Sequence, residues 1–452
     1  MTSTDILIVG GGPAGVLAAI TAARMDKKVI LIDSKSRSQI GNKTCGDAIP
    51  LSTITYLEEE LGIEKPSGGE IADHVLSLQF KTHNAELVVE GKGLILNRHE
   101  YAQRLLALAE NEGVEIRSNT RAVKALHNNG VVIGARVKGK MSEEYDIDAK
   151  ITIDTSGRNY VIRKSLPLED FPLIEHDMNR DDICGAYRLI IRINEDLPDH
   201  PYKGQPLVYF RDDIPEPGYF WIFPKGDHKL NVGTGWTVTT PAKKPMKQVL
   251  HSIINEYYTP DQYSIEDAGG YTIPVRYPLA NAVVNGFITA GDAAFHVTPL
   301  TAGGHGPALV AGYYAGKVAA EAVETDDVSI DKLWKYNQYI MNYLGDPHCK
   351  AMVFQESLVK IGIEGLDFIL RRTLLSKDEL EDLSVGKRPG VLAILYKTFK
   401  LFPRYHYLFL IFKVAKKSRE ISRLLEEYPA KPAEYPAWYS RYFKLMESLR
   451  RL

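Results

Sequence analysis

The stretch DILIVGGGPAGVLAAITAARMDKKVILID, Asp5 to Asp33, restricts the fold more than any other part of the chain. Ile6 to Val9 is an unbroken apolar run, as expected of a parallel strand buried on both faces. It stops at Gly10, and Gly10, Gly12 and Gly15 stand in G-x-G-x-x-G spacing, with Pro13 and Ala14 between the last two. The alanine-rich stretch to Arg24 predicts a helix, and Val29 to Ile32 a second strand ending in Asp33. Such a turn binds dinucleotides for a physical reason. Gly10 permits the tight turn, Gly12 lets backbone approach a pyrophosphate, and Gly15 allows close helix–strand packing. The helix N-terminus offers unpaired N–H groups to the phosphates. Asp33 is placed to accept ribose hydroxyls. A structural glycine turn without a ligand is the alternative.

Further along, VLSLQF and ELVVEG alternate like antiparallel strands, and NRHEYAQRLLALAENEGVEI predicts a helix followed by a strand. Residues 120–150 predict a β-meander, and 170–280 a β-rich region with a helical insert near 242–258. From about residue 326 the chain is mostly helical, with an irregular Pro-rich connection at YPAKPAEYPAW, Tyr428 to Trp438.

Composition excludes several function classes. The chain has 452 residues, and its 55 basic and 57 acidic side chains leave a net charge of −2, which argues against a nucleic-acid partner. Cys45, Cys184 and Cys349 are scattered, so a disulfide framework, a four-cysteine zinc site and an iron–sulfur cluster are not expected. No metal is expected, and a reducing cytoplasm fits. The N-terminus lacks the pattern of a signal peptide. No apolar run is long enough to span a bilayer.

Two later segments follow the same strand–turn logic: ITIDTSGRNYVIR at 151–163 and GFITAGDAAFHVTP at 286–299. Together with the glycine turn they resemble the para-hydroxybenzoate hydroxylase type of flavoprotein. That resemblance implies FAD. It matches Asp154, Gly157 and Arg163 to a turn near the dinucleotide, although Thr155 and Ser156 separate Asp154 from Gly157. It matches Gly291 and Asp292 to the pair that binds the ribityl chain, and Arg98 to an arginine near the flavin. In PLTAGGHGPALVAG, Pro299 and the glycines Gly303 and Gly304 precede a predicted helix. A helix N-terminus aimed at the N1–C2=O edge of the ring would stabilise the charge of reduced flavin. His305 is expected as a solvated loop residue.

The segment PGYFWIFPKGD sets Tyr219, Trp221 and Phe223 on one strand face and Phe220 and Ile222 on the other. A strand apolar on both faces packs one on a core and lines a cavity with the other. Lys225, after Pro224, is expected as an exposed strand-end residue. This Y-x-W-x-F-P-K strand, with GNKTCGDAIP at Gly41 to Pro50, resembles the geranylgeranyl reductase family, particularly its archaeal digeranylgeranylglycerophospholipid reductases. The resemblance covers residues 5 to 320. It implies reduction of isolated double bonds on prenyl chains, by hydride from flavin N5 and a proton on the neighbouring carbon. It implies that Cys45 lies near the flavin and delivers the proton or controls redox state, with Lys43 and Asp47 flanking it. Tyr219 is a second candidate donor, and Trp221 is expected to be catalytic beside them. Tyr219, Trp221, Phe223 and Phe220 are expected to bind substrate. Gly46, Asp47 and Ala48 are expected at the cofactor. Cys184 and Cys349 are read as structural.

The fold expected is α/β (α+β): a discontinuous Rossmann-type FAD-binding domain, an inserted antiparallel β-sheet substrate domain and a helical C-terminal region. The FAD-binding domain takes 1–74, 96–169 and 281–325, the substrate domain 75–95 and 170–280, and the C-terminal region 326–452. YKTFKLFPRYHYLFLIFKVAKK, Tyr396 to Lys417, suits a helix lying on an anionic membrane surface, which predicts peripheral membrane contact. The electron donor stays open between a ferredoxin, a deazaflavin and NAD(P)H. Rival readings are a flavin monooxygenase, a chlorophyll-type geranylgeranyl reductase, an electron-transfer flavoprotein:quinone oxidoreductase and a non-catalytic prenyl-lipid carrier.

Overall fold

The computed structural model describes residues 2–372 and 406–449. In chain order the elements are β1 (Thr2–Val9), α1 (Pro13–Ala23), β2 (Val29–Ile32), β3 (Ala48–Pro50), α2 (Leu51–Glu59), β4 (Ile71–Lys81), β5 (Glu86–Leu96), α3 (Arg98–Asn111) and β6 (Glu115–Arg117). Then come β7 (Arg121–Asn128), β8 (Val131–Lys138), β9 (Glu144–Asp154), α4 (Val161–Ser165), β10 (Ile183–Ile193), β11 (Leu207–Tyr209), β12 (Tyr219–Pro224), β13 (Lys229–Thr237), α5 (Met246–Ile254) and β14 (Tyr263–Pro274). The chain continues through β15 (Val283–Val284), β16 (Phe287–Thr289), α6 (His305–Glu324), α7 (Ile330–Ile340), α8 (Asp346–Arg371), α9 (His406–Glu426) and α10 (Tyr435–Leu449).

The first sheet runs β15-β16-β9-β1-β2-β6, with the β7–β8 hairpin paired to β9. β1 lies between β2 and β9 and is parallel to both. Ile6 and Ile8 enter a core shared with α1, α3 and α6, while Leu7 and Val9 enter a second core under the β7–β9 meander. Burial on both faces is why this strand reads as a continuous apolar run. α6 lies directly on α1. A Cβ at Gly312 would fall 2.1 Å from the carbonyl oxygen of Ala14, and one at Gly316 would fall 2.3 Å from that of Ala18. Glycine at this four-residue spacing lets the two helices meet backbone to backbone.

The second sheet runs β14-β10-β13-β12-β11-β4-β5-β3. It is antiparallel except where β4 and β11 run parallel, at the seam between two separate stretches of chain. One of its faces packs on α5 through Leu189, Ile191, Phe220, Ile222, Leu230, Val232 and Leu250.

The C-terminal helices extend the first core rather than building their own: Trp334, Ile340, Val353, Trp438 and Tyr442 belong to the same cluster as Ile6. Of the segment expected as irregular, only the beginning is so. α10 starts at Tyr435, and Pro436 sits in its first turn, where a missing N–H removes no helical bond. α8 breaks at Gly362, φ +64°, where Glu216 accepts the N–H of Ile363 at 3.0 Å. Beyond the break, Asp367 accepts from the Thr82 hydroxyl at 2.7 Å and from Asn84 N–H at 3.1 Å, tying α8 to the β4–β5 hairpin.

Candidate active site

The turn after β1 is built as a cradle. Gly10 has φ +107°, and a Cβ there would lie 2.5 Å from the carbonyl oxygen of Thr155. A Cβ on Gly15 would lie 1.9 Å from the carbonyl oxygen of Gly10. Gly12 is different: nothing lies within 4 Å of its missing Cβ. It is also the N-cap of α1, with no side chain capping the helix and Pro13 in the first turn. The start of the helix is therefore open beside Gly12 and takes no side-chain cap, which suits a pyrophosphate. Asp33 accepts the N–H groups of Gly11 and Lys35, each at 2.8 Å, and keeps lone pairs for a ribose. The separation of Asp154 from Gly157, which weakens it as a ligand, has a structural counterpart. The fully buried Asp154 carboxylate accepts from Ser156 and from the N–H groups of Ile162 and Arg163, so it caps α4 and is spent on local structure. Arg163 is also fully buried, with its guanidinium 4.8 Å from the Phe295 ring centre.

The second half of the cradle forms around Gly291, φ +70°, and Asp292. Asp292 is buried and accepts from the Lys43 ammonium at 2.5 Å. Lys43 also stands 4.4 Å over the Tyr271 ring centre. Pro299 is buried, and after Gly303 the α6 helix begins at His305, with Gly304 as an N-cap that brings no side chain to the helix end. His305 was expected in solvent. It is 7% exposed, packs edge-on against Tyr101 with ring centres 6.1 Å apart, and is held well below the usual imidazole range by burial, then by Arg98 and Lys43. Arg98 is buried at the start of α3. Lys35 is held below its usual range by burial, against the pull of Asp33 and with help from Arg98 and Lys43. Lys35, Lys43 and Arg98 thus gather positive charge beside two uncapped helix ends. That set, with the open face of Gly12, fits the phosphates and the ring edge of FAD, and these are the residues that would hold it.

The aromatic row stands across from the Cys45 segment. Tyr219, Trp221 and Phe223 pair with Gly235, Gly233 and Asn231 of β13 and project to the face opposite the α5 core. Ring centres are 6.1 Å apart for Tyr219 and Trp221 and 6.4 Å for Trp221 and Phe223, with Phe210 extending the row 6.1 Å beyond Tyr219. Gly233 makes room: a Cβ on it would fall 2.1 Å from the Trp221 indole, whereas one on Gly235 would meet the carbonyl oxygen of Gly185 at 2.7 Å. Arg188 and Cys184 of β10 share this face by register, and Arg188 bonds Asp267 at 2.7 Å. Phe220 is a correction. It is 0% exposed within the α5 core, because strand alternation turns it away from its neighbours.

Cys45 is half-buried, and the next residue touches the row: a Cβ on Gly46 would meet the Phe223 ring at 2.9 Å. The charges flanking Cys45 are engaged elsewhere, Lys43 with Asp292 and Asp47 with Lys225 at 2.7 Å. Lys225 is therefore not an exposed strand-end residue. It reaches inward to Asp47 and to the carbonyl of Leu96. Asp47 has φ +65°, is 4% exposed, and also accepts from Asn231 at 3.2 Å, so its carboxylate is committed to protein partners. Ala48 is exposed at the start of β3. The Tyr219 hydroxyl donates to the carbonyl of Thr301 at 3.0 Å, and burial holds its phenol above the usual range.

The N-terminal cradle matches the FAD dependent oxidoreductase family over residues 5–165, and the sheet behind the aromatic row matches the geranylgeranyl reductase catalytic domain over 182–271. A digeranylgeranylglycerophospholipid reductase of Sulfolobus acidocaldarius is 32% identical over 443 residues, 96% of this chain and 95% of that protein. The chain belongs to the geranylgeranyl reductase family. It is an FAD-dependent oxidoreductase. A second family member, digeranylgeranylglycerophospholipid reductase 1 of Methanopyrus kandleri, is 30% identical, covering 74% of this chain and 84% of its own length. The fold is that of a geranylgeranyl bacteriochlorophyll reductase-like protein from Thermoplasma acidophilum, with TM-score 0.75 and 24% identity over 93% of this chain and all of that one. Within this family fold, Asn231, Gly233, Gly235 and Phe210 are the site residues that motif reading passed over. For Asn231, Gly233 and Gly235 one signal existed, a buried-type strand LNVGTGW interrupted by an Asn and two glycines; Phe210 gave none.

Proposed function

We propose that this reductase saturates isolated double bonds of geranylgeranyl chains carried on a digeranylgeranylglycerophospholipid. The observation that supports it most is the row Tyr219, Trp221 and Phe223 packed against Gly46, beside Cys45. An isolated trisubstituted alkene offers no carbonyl to polarise, so its reduction gathers positive charge on carbon. Aromatic faces stabilise a dry cation by about 0.5–2 kcal/mol each. They also receive a chain that has no polar handle. FAD held by the cradle residues, once reduced, would supply the hydride from N5. Cys45 is the catalytic residue we assign to deliver a proton from Sγ to the neighbouring carbon. Tyr219, whose hydroxyl is bonded to Thr301, orients the row. The names of the related reductases support the lipid as acceptor.

We also place the enzyme at a membrane surface, from which such a lipid must arrive. Supporting this, α9 exposes Phe409 (77%) and Phe412 (49%) and carries Lys413, Lys416 and Lys417. Residues 396–405 of the segment singled out in the sequence lie outside the described residues, and among the described residues no helix is long and apolar enough to cross a membrane.

The deciding experiment is anaerobic incubation with a geranylgeranylated glycerophospholipid and dithionite, followed by lipid mass spectrometry. A gain of two hydrogens per double bond is expected. An added oxygen in an aerobic run with NAD(P)H would indicate a monooxygenase. No change in either run would indicate a carrier.

A further inference from the structure

Asn231 joins the Cys45 segment to the aromatic row. It is 0% exposed, between the apolar Leu230 and Val232 of β13. Oδ1 accepts the Trp221 indole N–H at 3.0 Å. Nδ2 donates to the Cys45 carbonyl at 2.8 Å and to Asp47 at 3.2 Å. Both donors and the acceptor are therefore used. Turned over, the amide would set NH2 against the indole N–H and its oxygen against a carbonyl and a carboxylate, so only one orientation is bonded. Asp47 in turn is fixed by Lys225 at 2.7 Å and by Leu96, whose N–H reaches the Asp47 carbonyl at 2.9 Å. Asn231 also lies directly opposite Phe223 in the ladder. Nothing in this chain of bonds is needed to form β13 itself, whose backbone is already paired with β10 and β12.

Resting on the function proposed above, we infer that Asn231 is a positioning residue: it holds the Cys45 main chain and the Trp221 indole in one fixed relation, so that thiol and aromatic face meet the same double bond. Lys225 and Asp47 keep its amide turned the right way.

The test uses the FAD-loaded full chain with Asn231→Leu and Asn231→Asp, each alone and combined with Trp221→Phe. The first readout is the rate at which geranylgeranylated glycerophospholipid reoxidises the reduced flavin. The second is alkylation of Cys45 by iodoacetamide, followed by mass spectrometry. Asn231→Leu is expected to slow reoxidation about tenfold with KM changed less than about twofold. Combined with Trp221→Phe, which removes the indole donor, the further loss is expected to be less than about twofold. Asn231→Asp adds a pH signature. Its neutral acid keeps one donor for Cys45 and one acceptor for Trp221. Its carboxylate would face Asp47, with Lys225 the nearby cation and Cys45 the other titratable neighbour in contact. The ratio of variant to wild-type rate should therefore fall about tenfold between about pH 5.5 and about pH 8. Cys45 alkylation should accelerate in both variants. A flat ratio, equal losses in both backgrounds, or unchanged alkylation would overturn the inference. If Asn231→Leu does not fold, the Asn231→Asp ratio decides. A wild-type flavin that the lipid fails to reoxidise would sink the proposed function instead, and alkylation would then decide on Asn231 alone.

Discussion

Asp47 and Lys225 meet at 2.7 Å with side chains only 5% and 11% exposed, 178 residues apart in sequence. Removing one member of so dry a pair strands a charge, which typically costs about 3–5 kcal/mol, whereas replacing both by apolar groups is often close to neutral. Lys225→Met is expected to lower the melting temperature sharply, and Asp47→Asn added to it, which removes the stranded charge, tolerates φ +65° and keeps an acceptor for Asn231, should recover part of the loss. Thermal melts of the single and double variants check this.

Two glycines separate stability from turnover. At Gly312 a Cβ would meet the backbone of Ala14, which cannot yield without parting α1 from α6. Gly312→Ala should cost about 1–3 kcal/mol and weaken FAD retention. At Gly233 the obstacle is the Trp221 ring. Gly233→Ala should keep the flavin spectrum while substrate turnover falls about tenfold or more.

Cys45→Ser and Tyr219→Phe should part in the same assay. If Cys45 delivers the proton, Cys45→Ser should slow flavin reoxidation by substrate about a hundredfold, within the usual range for general acids. Tyr219→Phe loses one bond to Thr301 and should slow it less than about tenfold. Dithionite reduction of the flavin should stay unchanged in both.

Stability should fall on acidification. Burial lowers His348 to about 4, and burial with His348 nearby lowers His296 to about 3. The unfolded chain takes up these protons near about pH 6.5, the native protein far lower, so the stabilisation is present above that pH and lost below it. His348→Gln retains an amide for Thr298, the present partner of the His348 ring at 3.3 Å. Denaturant melts between about pH 6.5 and about pH 4.5 should show its slope shallower by up to about 1.4 kcal/mol per pH unit.

Phe409→Ser with Phe412→Ser should reduce co-sedimentation with anionic vesicles by about tenfold or more, since each ring buries about 1.5–3 kcal/mol of apolar surface when it inserts. Flavin content and melting temperature should not change. Unaltered sedimentation would remove α9 as the contact.

What the sequence reveals divides by distance along the chain. The glycine turn and the facing of Tyr219, Trp221 and Phe223 were legible because strand alternation and turn spacing are local. Partnerships were not. Lys225 looks like a solvent-facing residue after Pro224 until β12 is set beside the Cys45 loop, and Asn231 lies 184 residues from the Asp47 carboxylate that it bonds. His305 misled for the same reason, since Tyr101 covers it from a helix far away in sequence. Asp154 was legible as a weak candidate, because its spacing from Gly157 is local: the two extra residues let its carboxylate fold back onto the start of α4.

The glycine contact between α1 and α6 also bears on how electrons reach this enzyme. A dinucleotide gripped at one end by the first helix and at the other by the second is clasped by parts that cannot move independently. We predict that such a cofactor stays seated through turnover, so that exhaustive dialysis leaves the flavin content unchanged. On that prediction the reductant meets the assembled protein, with the flavin already in place.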